Sequence, residues 1–229
     1  MNDITQIDFL CEIRKAYLEA RNISIKNSFS SKLLSRGTSH SISSKAEDLF
    51  GCYIADKIRK TSKFNIVVDP QILFEDKNLK NKNKTRSLLI RPDVALINNK
   101  IATCFFDVKM DLGYKRNDFI IQAKEREAQL SLIRGKDAYY NDGKSKNKDS
   151  KLNIKISDKI KLIYVVISDG NINKEHSKKI INDINKLKNV EIYLLSLGHL
   201  NIYDDDPKYT INTEDFNEVD KILDALLKT

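Results

Sequence analysis

Two adjoining stretches, residues 87–97 and 101–109, are separated only by Asn98-Asn99-Lys100. Both carry the apolar, β-branched and aromatic character of strands, and the link between them is short and turn-prone, so the pair predicts a β-hairpin. No other feature restricts the fold as tightly. Side chains on a strand alternate between faces. Asp107 and Lys109 therefore share one face, while Phe106 and Val108 take the other. Asp93 lies on the facing strand, and a tight turn folds it back toward Asp107. One spot on the hairpin can thus receive two carboxylates and one ammonium.

The flanking segments alternate helix and strand. Residues 4–20 place Ile7, Leu10, Cys11, Ile13, Arg14, Tyr17 and Leu18 near helical spacing. After a polar stretch, Ser43 or Ser44 caps a helix over 45–60 with Ala46, Leu49, Phe50, Tyr53, Ile54 and Ile58 on its apolar face. A short strand is expected at 64–68, a basic Asn-rich loop at 77–84, a helix at 119–134 and a polar loop at 141–150. Buried strands follow at 161–168 and 190–197, with an amphipathic helix at 174–188 between them and a last helix at 214–227. This order predicts an α/β fold in which a mixed sheet carries helices on both faces. A single domain spanning 1–229 accounts for it, with a core over about 44–197 and helical additions at both ends.

Composition narrows the function classes. Hydrophobic residues make up 41% of the 229, enough for a packed core. The net charge is +8, which favours polyanionic partners, although abundant Lys, Asn and Ile would also arise from an AT-rich coding sequence. No apolar run reaches the ~20 residues of a membrane span, and Asp3, Asp8 and Glu12 interrupt any secretory pattern. Cys11, Cys52 and Cys104 form no CxxC pair, so buried thiols in a reducing cytoplasm are expected. His40, His176 and His199 are too scattered for a His-rich metal cluster, and no Gly-rich phosphate loop points to an NTPase.

Carboxylates on adjacent strand ends offer the hard oxygen donors that Mg²⁺ takes, with coordination left for water and a phosphate oxygen. Such a cation acidifies water and offsets charge on phosphorus, and a neighbouring lysine orients that water or neutralises the phosphate. Asp93, Asp107 and Lys109 together suit hydrolysis of a phosphodiester.

The run Pro92-Asp93 followed by Asp107-Val108-Lys109 resembles the signature of the PD-(D/E)XK nuclease superfamily. The order helix, three-strand meander, helix, strand over about 44–197 is similar to that family's core. The resemblance implies a restriction-endonuclease-like fold and a Mg²⁺-dependent endonuclease acting on double-stranded DNA, most like a type II restriction enzyme, with Mn²⁺ able to substitute. It implies that Asp93 and Asp107 hold the metal, that Lys109 positions the attacking water, and that the protein works as a homodimer on a palindromic target. Many members add a glutamate from the preceding helix, for which Glu47 is the candidate. Ser44-x-x-Glu47 also reads as a capping box, so ligand and cap stand as equal alternatives. Two other functions stay open: a structure-specific repair or junction-resolving nuclease, and a catalytically inactive nucleic-acid-binding protein on the same fold.

Further residues have a functional and an ordinary reading. Asp111 follows Lys109 on the same face and either adds a ligand or ends the strand. Gln122, Lys124, Arg126, Gln129 and Arg134 could hold phosphate, but a solvated helix face is favoured for most of them. The basic loops at 77–84 and 144–155 either contact DNA phosphates or are solvated. Ser168-Asp169-Gly170 reads as a turn.

Overall fold

The structure, a computed structural model, describes residues 4–21, 41–58, 64–74, 88–113, 118–141, 150–200 and 208–227. The elements are α1 (Gln6–Arg21), α2 (Ser43–Ile58), β1 (Phe64–Val68), β2 (Ile72–Phe74), β3 (Leu88–Ile90), β4 (Val94–Asn98), β5 (Ile101–Lys109), α3 (Asp118–Ile133), β6 (Asp137–Asn141), β7 (Lys151–Val166), α4 (Lys174–Ile184), β8 (Val190–Leu194), β9 (Ser196–His199), β10 (Lys208–Ile211) and α5 (Thr213–Leu227). The protein is a mixed α/β fold. An eight-stranded, mostly antiparallel sheet forms its centre, and β9 and β10 make a separate two-stranded ribbon.

The expected hairpin is present as β4 and β5, with Val94 opposite Phe106 and Asn98 opposite Ile101. Asn99 and Lys100 both adopt positive φ, 48° and 65°, the mirror-image turn whose twist matches that of the flanking strands. Beyond β5 the sheet turns parallel. Asp107 pairs with Tyr164 on β7, and Tyr164 pairs with Ile192 on β8.

The first strand of the hairpin is not continuous over 87–97. Arg91-Pro92-Asp93 separates β3 from β4, because proline lacks the N–H that a ladder needs. Asp69-Pro70 interrupts the neighbouring strand at the matching level, between β1 and β2. The register nevertheless runs through both breaks: Val68 faces Val94 and Ile72 faces Ile90. The two ribbons are one long hairpin bent at its middle. Asp69 takes a φ of 49° there and donates its N–H to the Asp93 carbonyl at 2.7 Å, holding the bend. The arm beyond the bend reaches β6 through the Leu73–Tyr139 pair, so the strand path returns toward its own start.

Two cores flank the sheet. On one face α1, α2 and α5 contribute Phe9, Phe50, Tyr53 and Phe216 against Leu96, Phe106 and Val165. On the other, α3 and α4 pack Phe119, Leu130 and Ile180 against Phe105, Leu162 and Tyr164, and the arm adds Ile72, Phe74 and Ile90. The expectation of helices on both faces therefore holds. Tyr53 closes the first core with a polar link. Its hydroxyl donates to Asp220 at 2.6 Å, and Lys57 and Gln6 reach the other Asp220 oxygen at 3.0 and 3.1 Å.

Several expectations are corrected. The buried face of α1 is Phe9, Leu10, Ile13 and Ala16, whereas Ile7, Leu18 and Cys11 point to solvent. Cys52 is also exposed, so only Cys104 is a buried thiol, and burial pushes its pKa up. Helix α2 begins at Ser43, which places Ser43 and Ser44 inside it. Residues 151–155, read as loop, are the start of β7, and the expected strand 190–197 divides into β8 and β9. Strands β2, β6 and β10 were not anticipated. The loop at 77–84, most of the loop at 141–150 and His40 lie outside the described residues.

Candidate active site

The bend in the long hairpin and the C-terminal end of β5 meet at one place. The residue preceding β4, Asp93, continues its register opposite Asp107. Directly opposed residues in an antiparallel pair project to the same side. That side is the α3/α4 face, since Phe105 packs in that core and Phe106 in the other. Asp69 continues the β1–β4 register opposite Asp93, so three aspartates lie in one row across three strands.

The two inner carboxylates are interlocked. Asp107 Oδ1 accepts the Asp93 N–H at 3.3 Å, and Asp93 Oδ2 accepts the Val108 N–H at 2.6 Å. The Lys109 ammonium donates to Asp93 Oδ2 at 3.3 Å. Asp93 Oδ1 and Asp107 Oδ2 accept no hydrogen bond from a described residue. Asp107 is 4% exposed. Its carboxyl pKa is raised by burial first, with Asp93 acting in the same direction and Lys109 and Arg126 opposing. Lys109 and Asp93 are partly open to solvent.

Helix α3 supplies a second cation. The Arg126 guanidinium stands 3.7 Å from Asp107 Oδ2 and donates to Gln129 Oε1 at 3.0 Å and to the Arg91 carbonyl at 3.3 Å. Gln129 in turn donates to the Leu89 carbonyl at 2.9 Å. The helix thereby grips both β3 and the bend. Tyr164, the parallel-strand neighbour of Asp107, lies with its hydroxyl beside Arg126, and burial pushes its phenol pKa up.

Glu47 approaches from the opposite layer. Gly51 allows this: a Cβ there would meet Val68 Cγ2 at 2.8 Å, so its absence lets α2 lie close on the end of β1. One turn earlier on the same side of α2, Glu47 comes within electrostatic reach of Asp93, Lys109 and Asp69. Burial raises its carboxyl pKa first, with Asp93 next. Glu47 accepts no hydrogen bond from Ser44, so the capping box is not formed. Glu47 does not close a three-carboxylate cage either. Among the described residues, no three His, Cys, Asp or Glu side chains converge on a point that would hold a metal ion.

The structure thus brings Asp93, Asp107 and Lys109 together and leaves Glu47 at the rim. It removes Asp111, whose two oxygens accept from Gly113 N and Asn171 Nδ2 at 2.7 and 2.8 Å. His199 ends β9 with its ring against Gly170. Arg126 and Gln129 are not merely solvated, and Arg134 donates to the Ile160 carbonyl at 3.2 Å. Sequence reasoning passed over Asp69 and Tyr164. The bend and the parallel register create their proximity, and only Pro70 and Pro92 hinted at the bend.

Two carboxylates on facing strands fit Mg²⁺, which keeps several waters and takes one or two protein carboxylates together with substrate phosphate. No protein-family model, curated protein or solved structure matches this chain.

Proposed function

We propose that this protein is a Mg²⁺-dependent endonuclease of double-stranded DNA with a restriction-endonuclease-like core, most like a type II restriction enzyme. The observation that carries the reading is the interlocked Asp93–Asp107 pair with the Lys109 ammonium 3.3 Å from Asp93 Oδ2. The element order adds support. Helix α2, the meander β1–β4–β5, helix α3 and strand β7 follow the order expected of that superfamily, with the bent arm inserted after β1.

Asp93 Oδ1 and Asp107 Oδ2 would hold the cation, and Glu47 would reach it through water. A cation held there would lower the pKa of its bound water and neutralise a phosphate oxygen. The protein's own groups do the rest. The Val108 N–H fixes the rotamer of Asp93, and the Asp93 N–H fixes that of Asp107, so neither carboxylate must reorganise. Lys109 orients the attacking water and offers positive charge to the phosphate, and the buried floor of Phe105 and Tyr164 lowers the local dielectric. The net charge of +8 draws the polyanionic substrate in. A palindromic target would be served by a two-fold dimer.

One observation favours a second reading. Lys109 and Arg126 already neutralise both carboxylates, as suits a nucleic-acid-binding protein without catalysis. Purified protein incubated with mixed phage and plasmid duplex and MgCl₂ separates the two. Discrete fragments lost in EDTA support the restriction reading, and a metal-dependent smear supports a less selective nuclease. Salt-sensitive binding with no cleavage of linear, branched or modified DNA would overturn the nuclease reading in favour of the second.

A further inference from the structure

A buried carboxylate needs a counter-charge, because a lone anion out of water costs several kcal/mol. Asp107, 4% exposed, finds one in Arg126. The contact is unusual in form. At 3.7 Å it is longer than a hydrogen bond, and the guanidinium spends its nearer N–H groups on Gln129 Oε1 and the Arg91 carbonyl. Both of those acceptors are neutral. They hold the cation beside Asp107 Oδ2 without locking it there, and Oδ2 is the oxygen that no N–H occupies. The Arg126 side chain is 28% exposed, so it has a route to solvent. Lys109, by contrast, is directly hydrogen-bonded to Asp93 and leaves Asp107 Oδ2 untouched.

Resting on the nuclease reading of the same site, we infer that Arg126 is the internal counter-ion of Asp107 in the metal-free protein, a positioning residue that a divalent cation displaces when it takes Asp107. Two cations cannot share Oδ2 at contact distance without strong repulsion. Cation entry therefore opposes the arginine, and the freed guanidinium can turn to a phosphate oxygen, for which its planar fork is suited. Arginine at 126 weakens metal binding in the absence of DNA, and DNA relieves that penalty by receiving the displaced side chain.

The sign of the effect separates this role from scaffolding. Mn²⁺ binding, without DNA, is measured by electron paramagnetic resonance of the free ion and by calorimetry. Arg126→Gln should tighten Mn²⁺ binding about tenfold, the size expected of a partly screened charge. The same variant should cleave DNA more slowly at saturating metal. Arg126→Met, which keeps the stem, should do the same, and circular dichroism checks that each variant is folded. Arg126→Lys retains the charge and should bind Mn²⁺ as wild type does. Unchanged or weaker Mn²⁺ binding in folded Arg126→Gln and Arg126→Met would overturn the inference and leave the nuclease reading standing. Absence of Mn²⁺ binding in wild type, or binding that survives Asp107→Asn, would overturn both.

Discussion

Replacing Lys109 with alanine removes one positive charge from the site and little else. The ammonium is 3.3 Å from Asp93 Oδ2 and about a third exposed. A phosphate bound across the two carboxylates would come within roughly 4–5 Å of it, where an effective dielectric near 20 gives an interaction of about 3–4 kcal/mol. That corresponds to a loss of roughly 10²–10³ in the rate of the chemical step. The cost in stability is far smaller, about 0–1 kcal/mol, as for other partly exposed ion pairs. The assay is single-turnover cleavage of a labelled duplex at saturating Mg²⁺, paired with urea unfolding followed by far-ultraviolet circular dichroism. Lys109→Ala should lose two to three decades of rate with a nearly unchanged urea midpoint. Lys109→Arg should recover part of the rate. A loss below tenfold, or a stability loss large enough to explain the inactivity, would refute the assignment of Lys109 to the chemistry.

Three further outcomes follow from the geometry. Burial raises the Asp107 carboxyl pKa above 3.8, so the folded state holds that proton more tightly than the unfolded chain. Its contribution to stability is present below pH ~3.8 and is lost as pH rises through the folded value; in metal-free buffer, Asp107→Asn should flatten this part of the urea-midpoint profile, and an unchanged profile would contradict it. Asp220→Ala leaves the buried Tyr53 hydroxyl without its acceptor and should cost about 2–3 kcal/mol, while adding Tyr53→Phe should restore roughly 1 kcal/mol; strict additivity in the double-mutant cycle would count against the link. Lys100 sits at a φ of 65°, so Lys100→Gly should stabilise by about 0.5–1 kcal/mol, checked by the same urea midpoint.

The β4–β5 hairpin was legible because a turn-prone link joined two apolar runs, and alternation then put Asp107 and Lys109 on one side. The α2 face was legible for a similar reason: one stripe of Ala46, Phe50, Tyr53 and Ile54 at helical spacing. The bend was not read, although Pro92 inside the run carried the signal, since proline cannot donate to a ladder. Strand β2 has three residues, too few for any periodicity. Strand β6 and the first half of β7 are rich in polar residues, and their pairing with each other, rather than local propensity, makes them strands. Arg126 looked like a solvated charge because its partner is Asp107, brought close only by the packing of α3 on the sheet. The position of Glu47 depends on Gly51, whose missing Cβ draws α2 onto β1. Sequence supplied the chemistry of the inner pair, and tertiary register supplied its surroundings.

The role proposed for this site rests on metal-dependent cleavage by the Asp93–Asp107 pair. Single-turnover cleavage of duplex DNA by wild type and by Asp107→Asn, each verified as folded, tests this most directly. Wild type should cleave with Mg²⁺ and not in EDTA, and Asp107→Asn should lose cleavage with the fold retained. Cleavage that persists in folded Asp107→Asn, or none by folded wild type on linear, branched or modified duplex, would contradict it.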